Sequence, residues 1–177
     1  MKNKEFSHIR EILTDRASKT TKSLVVTLGL NDRRCTEQLW QWALYEEDPL
    51  KWRAAWVFEE VCLKDSDITK IYIDQIAEIY PKLNHTGLRR MFGHILAEKT
   101  IPVASEPEIL NAAFLWLQDR NQPAAVRVHC MQIIFNLSEK YLEIKQELKA
   151  TLEHEYATGS PGFQNRSGKI LALLKKT

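Results

Sequence analysis

The 177-residue chain has little of what covalent, redox or cofactor chemistry requires. Its three cysteines, Cys35, Cys62 and Cys130, are odd in number and far apart, which speaks against a disulfide framework. Each lies among apolar residues on an expected helix, where a free thiol acts as a small hydrophobe. The five histidines, His8, His85, His94, His129 and His154, are scattered, and neither CxxC nor HExxH occurs. His129 and Cys130 are neighbours whose side chains leave different faces of a helix. The six glycines are too dispersed to cradle phosphate, and GxxxxGK[ST], GxGxxG and GxSxG are missing. The expectation is therefore no catalytic residue, no metal and no cofactor.

Long hydrophobic runs are lacking too. Leu24 to Leu30 is far too short to span a bilayer, and Met1-Lys2-Asn3-Lys4-Glu5 leads into a polar segment without the apolar core of a signal peptide. A cytoplasmic chain with no membrane partner is expected. Nor does one sign of charge dominate: 25 basic residues stand against 23 acidic ones. The distribution is uneven, with net +4 over residues 1 to 34, −5 over 35 to 75 and +3 beyond. A general polyanion binder would carry a stronger bias.

What the chain does have is a recurring helix. Leu50, Leu88, Val126 and Phe163 stand 38, 38 and 37 residues apart, a spacing that marks a helical-repeat solenoid. Counting each as zero, position +4 holds Ala54, Phe92, Cys130 and Ser167. Position +7 holds Val57, Ile95, Ile133 and Ile170, and +8 holds Phe58, Leu96, Ile134 and Leu171. Position +11 holds Val61, Lys99, Leu137 and Leu174, so one copy breaks the stripe. These positions share one helix face, since each residue turns the helix by about 100°. At +5, Ala55, Gly93 and Gly168 are small enough for a neighbouring helix to come close, and Met131 departs from that pattern.

A second series runs in phase ahead of the first: Cys35, Tyr72, Leu110 and Leu148, followed one turn later by Leu39, Ile76, Phe114 and Leu152. Each repeat is thus a helical hairpin. The junctions Asp48-Pro49, Asn84-His85-Thr86-Gly87, Asn121-Gln122-Pro123 and Ser160-Pro161-Gly162 offer Asp, Asn or Ser as caps and Pro for a first turn. The pattern predicts an all-α fold, a right-handed α-α superhelix of about five hairpins in a single domain spanning 1 to 177. Residues 1 to 32 would form an atypical N-terminal cap built on Phe6, Ile9, Ile12 and Leu13 and on the Leu24 to Leu30 run. The repeats would follow at roughly 33–65, 66–100, 104–138 and 139–177.

From about residue 33 onward the chain resembles the HEAT-like, or armadillo-type, family of α-solenoids. The resemblance rests on a junction Asp or Asn followed by a basic residue early in the second helix: Asp48 with Lys51 or Arg53, Asn84 with Arg89 or Arg90, and Asn121 with Arg127. It implies a structural ladder running from repeat to repeat through Asp48, Arg53, Asn84, Arg89, Asn121 and Arg127, with the second helices lining a concave face. The last copy departs from the pattern, with Ser160 and Gln164 in those places and Arg166 nearby.

Opposite the apolar stripe, positions +2, +6, +9 and +10 read Trp52, Trp56, Glu59 and Glu60, then Arg90, His94 and Glu98, then Gln132 and Asn136, then Asn165 and Lys169. Trp and Arg are enriched at binding hot spots. The candidate partner-binding groove is therefore Trp52, Trp56, Arg90, His94, Gln132 and Lys169, receiving a protein or peptide. The competing expectation is that Trp52 and Trp56 pack into the core near Trp40 and Trp42, with Glu59 and Glu60 as a solvated edge.

Nucleic acid is the alternative partner. HEAT-like folds include alkylpurine DNA glycosylases, and Trp56, Glu60 and Arg90 are loosely similar to the aromatic, carboxylate and arginine that such a site combines. Small repeat chains like this one have also carried the label adenylosuccinate lyase, but the SSxMPxKxNP-type loop of that enzyme is missing. A scaffold that binds without catalysis is the reading that remains.

Overall fold

The computed structural model describes residues 6–15 and 18–175. Among these there are ten α-helices and no strand. In chain order they are α1 (Ser7–Asp15), α2 (Lys19–Asn31), α3 (Arg33–Tyr45), α4 (Leu50–Lys64), α5 (Ser66–Ile79), α6 (Thr86–Glu98), α7 (Glu106–Gln118), α8 (Ala124–Ser138), α9 (Ile144–Tyr156) and α10 (Pro161–Leu174). Short 3-10 turns at Tyr80–Lys82 and Val103–Ser105 follow α5 and precede α7. The chain divides into two compact units, the first ending at Tyr72 and the second starting at Ile73.

The first unit is built around α4, which packs against α1, α2 and α3. Its repeat positions Leu50, Ala54, Val57, Phe58 and Val61 are all buried. An aromatic cluster fills the space beside them: Trp40 lies 5.1 Å from Phe58 and 5.4 Å from Tyr72, and Phe58 meets Tyr72 edge-on at 5.1 Å. Such ring pairs add about 0.5–1.5 kcal/mol each beyond their area.

A turn device recurs here that the apolar code does not reveal. Asp32 closes α2 and caps α3 by accepting from Arg34 N, while Thr36 Oγ1 donates to the Gly29 carbonyl at 2.8 Å. One repeat later Asp65 accepts from Asp67 N and Ile68 N, and Thr69 Oγ1 donates to the Cys62 carbonyl. Asp followed four residues on by Thr thus satisfies backbone groups that helix ends leave orphaned. Of the Leu24 to Leu30 run, Val25, Val26 and Gly29 are buried, whereas Leu24 and Leu28 are exposed.

In the second unit α8 is the centre, packed against α6, α7, α9 and α10. Helices covered on several sides are apolar nearly all round, and α8 buries Val126, Cys130, Met131, Ile133, Ile134 and Leu137. The buried stripe repeats on α6 with Leu88, Phe92, Ile95 and Leu96 and on α10 with Phe163, Ser167 and Ile170, while Leu171 and Leu174 are half-buried.

Gly93 is small for a reason. A Cβ there would lie 2.8 Å from Tyr80 Oη, and Tyr80 is wholly buried against Trp116, its ring 5.0 Å away. A Cβ at Gly168 would find nothing closer than 3.8 Å, so close approach explains one of the two glycines only. All three cysteines are free and buried. Burial pushes the Cys130 thiol up to about 12 and Cys35 up to about 11, which removes the reactive thiolate at neutral pH.

The junction caps differ from expectation in two places. Ser160 caps α10 by accepting from Phe163 N, as its type suggests. At α6 the cap is His85 Nδ1, accepting from Leu88 N at 3.2 Å, and not Asn84. Before α8, Pro123 occupies the cap position without a side-chain bond, and Asp119 accepts from Asn121 N one turn earlier. Asp48 Oδ1 accepts from Trp52 N over a long 3.4 Å.

Candidate functional site

The arginines at the starts of the second helices have fixed partners, though in the second unit these are not the junction asparagines. Arg53 Nη1 donates to the carbonyls of Leu13 and Thr14 at the end of α1, at 2.8 and 2.6 Å. Arg89 Nε donates to the Leu83 carbonyl at 2.8 Å and its Nη1 to Gln122 Oε1 at 3.0 Å, and its guanidinium lies 4.3 Å from the centre of the Trp116 ring. Arg127 Nε donates to the Leu117 carbonyl and its Nη2 to Glu155, both at 2.8 Å, and its guanidinium lies 4.3 Å from the centre of the Phe163 ring.

In the second unit the same grammar is therefore used twice. An arginine takes a carbonyl near the end of the preceding helix, reaches a side chain one hairpin further on and covers an aromatic ring. Asn84 and Asn121, expected as ladder partners, are exposed. The acceptors are Gln122 and Glu155 instead. Glu155 is buried and receives Arg120 through two bonds of 3.0 Å as well as Arg127. The hydrogen bonds from Arg120, ahead of the opposing effect of burial, hold its carboxyl below the ordinary value of 4.5.

The two tryptophans of the expected groove belong to the first unit and are half-buried, unlike Trp40 and Trp42, which are buried. Trp52 and Trp56 lie 6.1 Å apart, with Arg53 5.5 Å from the Trp52 ring and Lys22 Nζ 4.3 Å from the Trp56 ring. Glu60 is bridged by Lys22 and Lys64, each at 2.8 Å, and these hydrogen bonds lower its pKa. Glu59 is buried, so this pair is not a solvated edge. A carboxylate neutralised by two lysines beneath a lysine-covered ring is poorly placed to act as a base.

The other four groove residues sit in the second unit, on α6, α8 and α10. Arg90 and Lys169 are exposed, and neither makes a hydrogen bond or ion pair among the described residues. His94 stacks on His129 with ring centres 4.6 Å apart and planes 22° from parallel. Gln132 is consumed by a chain of hydrogen bonds crossing all three helices. Arg166 donates to Gln132 Oε1, Gln132 Nε2 to Asn136 Oδ1 at 2.6 Å, and Asn136 Nδ2 to the Ala97 carbonyl at 2.8 Å. Arg166 and His129 are the members that the helical spacing of the groove left out; His129 lies one turn before Gln132, on the same side of α8.

Charge is unevenly distributed among these helices: α6, α8 and α10 carry Arg89, Arg90, Arg127, Arg166 and Lys169 against one acid of their own, Glu98, with Arg127 paired to Glu155 of α9, whereas α7 carries Glu106 and Glu108 and no base. His129 registers the consequence: burial first, then His94, Arg90 and Arg166, push its pKa down from 6.5 to about 3. Beside Gln132 and Arg166 opens a cleft of about 590 Å³ whose lining includes Lys99, Lys140, Glu98, Glu106 and Asn136. Glu106 is held there by Lys140 at 2.7 Å and Tyr141 at 2.6 Å. No group of three or more His, Cys, Asp or Glu suited to a metal ion occurs among the described residues. No helix among them is long and apolar enough to cross a membrane.

Helical hairpins whose buried code returns every 37 or 38 residues define the α-solenoid repeat class. Within that class the chain belongs to the HEAT repeat domain family, whose model matches residues 9–174. No curated protein and no solved structure matches the chain. HEAT repeats are generally protein-interaction scaffolds, and the family is typically non-catalytic.

Proposed function

We propose that the protein is a non-catalytic interaction module that binds a protein or peptide partner in the cytoplasm through the outward sides of its second helices. The observation that carries this reading is the pairing state of the second-unit cations. Arg89 and Arg127 are bound to carbonyls and neighbouring side chains, yet Arg90, beside Arg89 on α6, and Lys169 on α10 stay exposed and make no hydrogen bond or ion pair among the described residues. Repeat scaffolds present rigid surfaces of this kind without rearranging. Within the first unit, Trp52 and Trp56 would offer an apolar contact of their own, each only by the part of its surface that Arg53 and Lys22 leave uncovered.

The test is affinity capture from native cytosol, with and without nuclease, comparing wild type with a Trp52→Ala/Arg90→Glu variant. A protein retained after nuclease and lost from the folded variant is the expected result. Unchanged capture by the folded variant would refute the surface assignment. The charge count on α6, α8 and α10 favours one second reading, nucleic acid. That reading requires capture to vanish with nuclease and affinity to fall steeply with salt.

A further inference from the structure

We infer that Arg90, His94, His129 and Arg166 form a receptor for a side-chain carboxylate on an acidic peptide segment of the partner. The inference rests on the interaction reading above and specifies its chemistry.

The geometry gathers nitrogen donors from three helices, and of these Arg90 is exposed and makes no hydrogen bond or ion pair among the described residues. Arg90 and His94 lie one turn apart on α6, His94 stacks on His129 of α8 at 4.6 Å, and Arg166 of α10 is hydrogen-bonded to Gln132, one turn beyond His129. Arg166 spends one donor on Gln132, and a guanidinium has five. The charged and titratable groups acting on His129 are His94 and Arg90 from α6 and Arg166 from α10, all of which oppose its protonation. Like charges held together in this way are relieved by an anion. Arg forks suit a carboxylate bidentately.

Several observations favour a peptide over a polynucleotide. The unpaired cations are few, and the strip runs into a cleft where Glu98 and Glu106 stand among Lys99, Lys140 and Arg166, a lining of both signs that suits a peptide of mixed charge better than a uniformly anionic phosphate chain. A segment with one or two carboxylates near Arg90 and neutral or basic residues toward Glu98 meets complementary groups along its length.

The experiment uses the full chain with isotope-labelled histidine, titrated separately with a short oligoglutamate, an oligolysine of equal length and a single-stranded oligonucleotide. Near pH 6, where its carboxylates are ionised, oligoglutamate should move the His94 and His129 imidazole signals together, because the two rings are stacked. Oligolysine should leave both signals in place. Arg90→Gln, at an exposed residue, should keep the fold and weaken oligoglutamate about tenfold, the loss expected for one charge-assisted contact. Arg166→Lys, which keeps the charge but not the fork, should give a smaller loss.

Unmoved imidazoles, or equal affinity in Arg90→Gln, would overturn the site, and so would an oligonucleotide that outcompetes the peptide. If Arg90→Gln fails the peptide test while nuclease-resistant capture persists, the interaction module stands and this receptor falls. If capture is lost with nuclease, the module itself falls.

Discussion

In the first unit the polar and aromatic groups on the outward side of α4 are covered: Lys22 bridges Glu60 and overlies Trp56, Lys64 completes the bridge, and Arg53 lies beside Trp52. In the second unit the corresponding side of α6 and α10 leaves Arg90 and Lys169 exposed, and two imidazoles stack in a field of like charge. One repeat code thus supports two surface states. Residue type alone would rank the tryptophans first as anchors, but pairing shifts the emphasis toward the cations. A charged group already engaged by its own fold must break that engagement to bind anything else, whereas an unpaired one has only water to lose.

The largest way to break this contrast is to unpair what the second unit has paired. Replacing Glu155 by Ala strands the buried guanidinium of Arg127 and should destabilise the protein by about 3–5 kcal/mol, read by chemical denaturation. The pH dependence follows from the sign of the Glu155 shift. Its folded pKa is depressed, so the stabilisation is complete above the unfolded value of 4.5 and is lost as pH falls through the lower folded value. A Glu155→Gln variant should flatten that acid limb. An unchanged limb would place the acid sensitivity elsewhere.

A smaller effect tests the packing beneath the second-unit surface. Gly93→Ala should cost about 1–3 kcal/mol through the clash with Tyr80 Oη, less up to about 1 kcal/mol of helix propensity. Tyr80→Phe combined with it should recover part of the loss, a coupling that a double-mutant cycle measures. Gly168→Ala meets only ordinary contact, with Tyr156 Oη at 3.8 Å, and should stabilise by up to about 1 kcal/mol. Equal effects at the two glycines would contradict the close approach at Gly93.

These cases also show what the sequence made legible. The returning apolar positions identified the helices and their buried faces because burial follows helical periodicity, and the residues Leu50 to Val61, Leu88 to Leu96 and Val126 to Leu137 carry it. The arginine positions were legible as well, since they stand at helix starts. Their acceptors were not. Glu155 lies 28 residues beyond Arg127 on α9, and the Leu117 carbonyl carries no side-chain signature. The Asp32–Thr36 and Asp65–Thr69 pairs could have been found, for their equal offsets are a local signal that an apolar code passes over. His129 falls outside the helical spacing that defines the groove, and its stacking on His94 depends on how α6 meets α8.

His129 offers a graded test of the exposed field. Because its folded pKa is lowered from 6.5 to about 3, the unfolded chain binds more protons between those values, so stability declines as pH falls through that window. One proton corresponds to a limiting slope of about 1.4 kcal/mol per pH unit. His129→Gln should remove this component above pH 4.5, where Glu155 does not yet contribute, and comparing the two variants separates the two acid limbs.

The smallest expected effect discriminates most directly between the units. Lys22→Gln removes one of the two lysines on Glu60 and uncovers the Trp56 ring, and it should cost up to about 1 kcal/mol. Arg90→Gln removes an exposed cation that has no hydrogen bond and acts on His129 only by repulsion, so stability should stay within about 0.5 kcal/mol of wild type, on the favourable side. Histidine resonances should then show the His129 midpoint rising above about 3, while the Glu60 carboxyl titrates as before. A destabilising Arg90→Gln would mean that this guanidinium serves the fold as Arg89 does, and the difference between the two units would then reduce to one of degree.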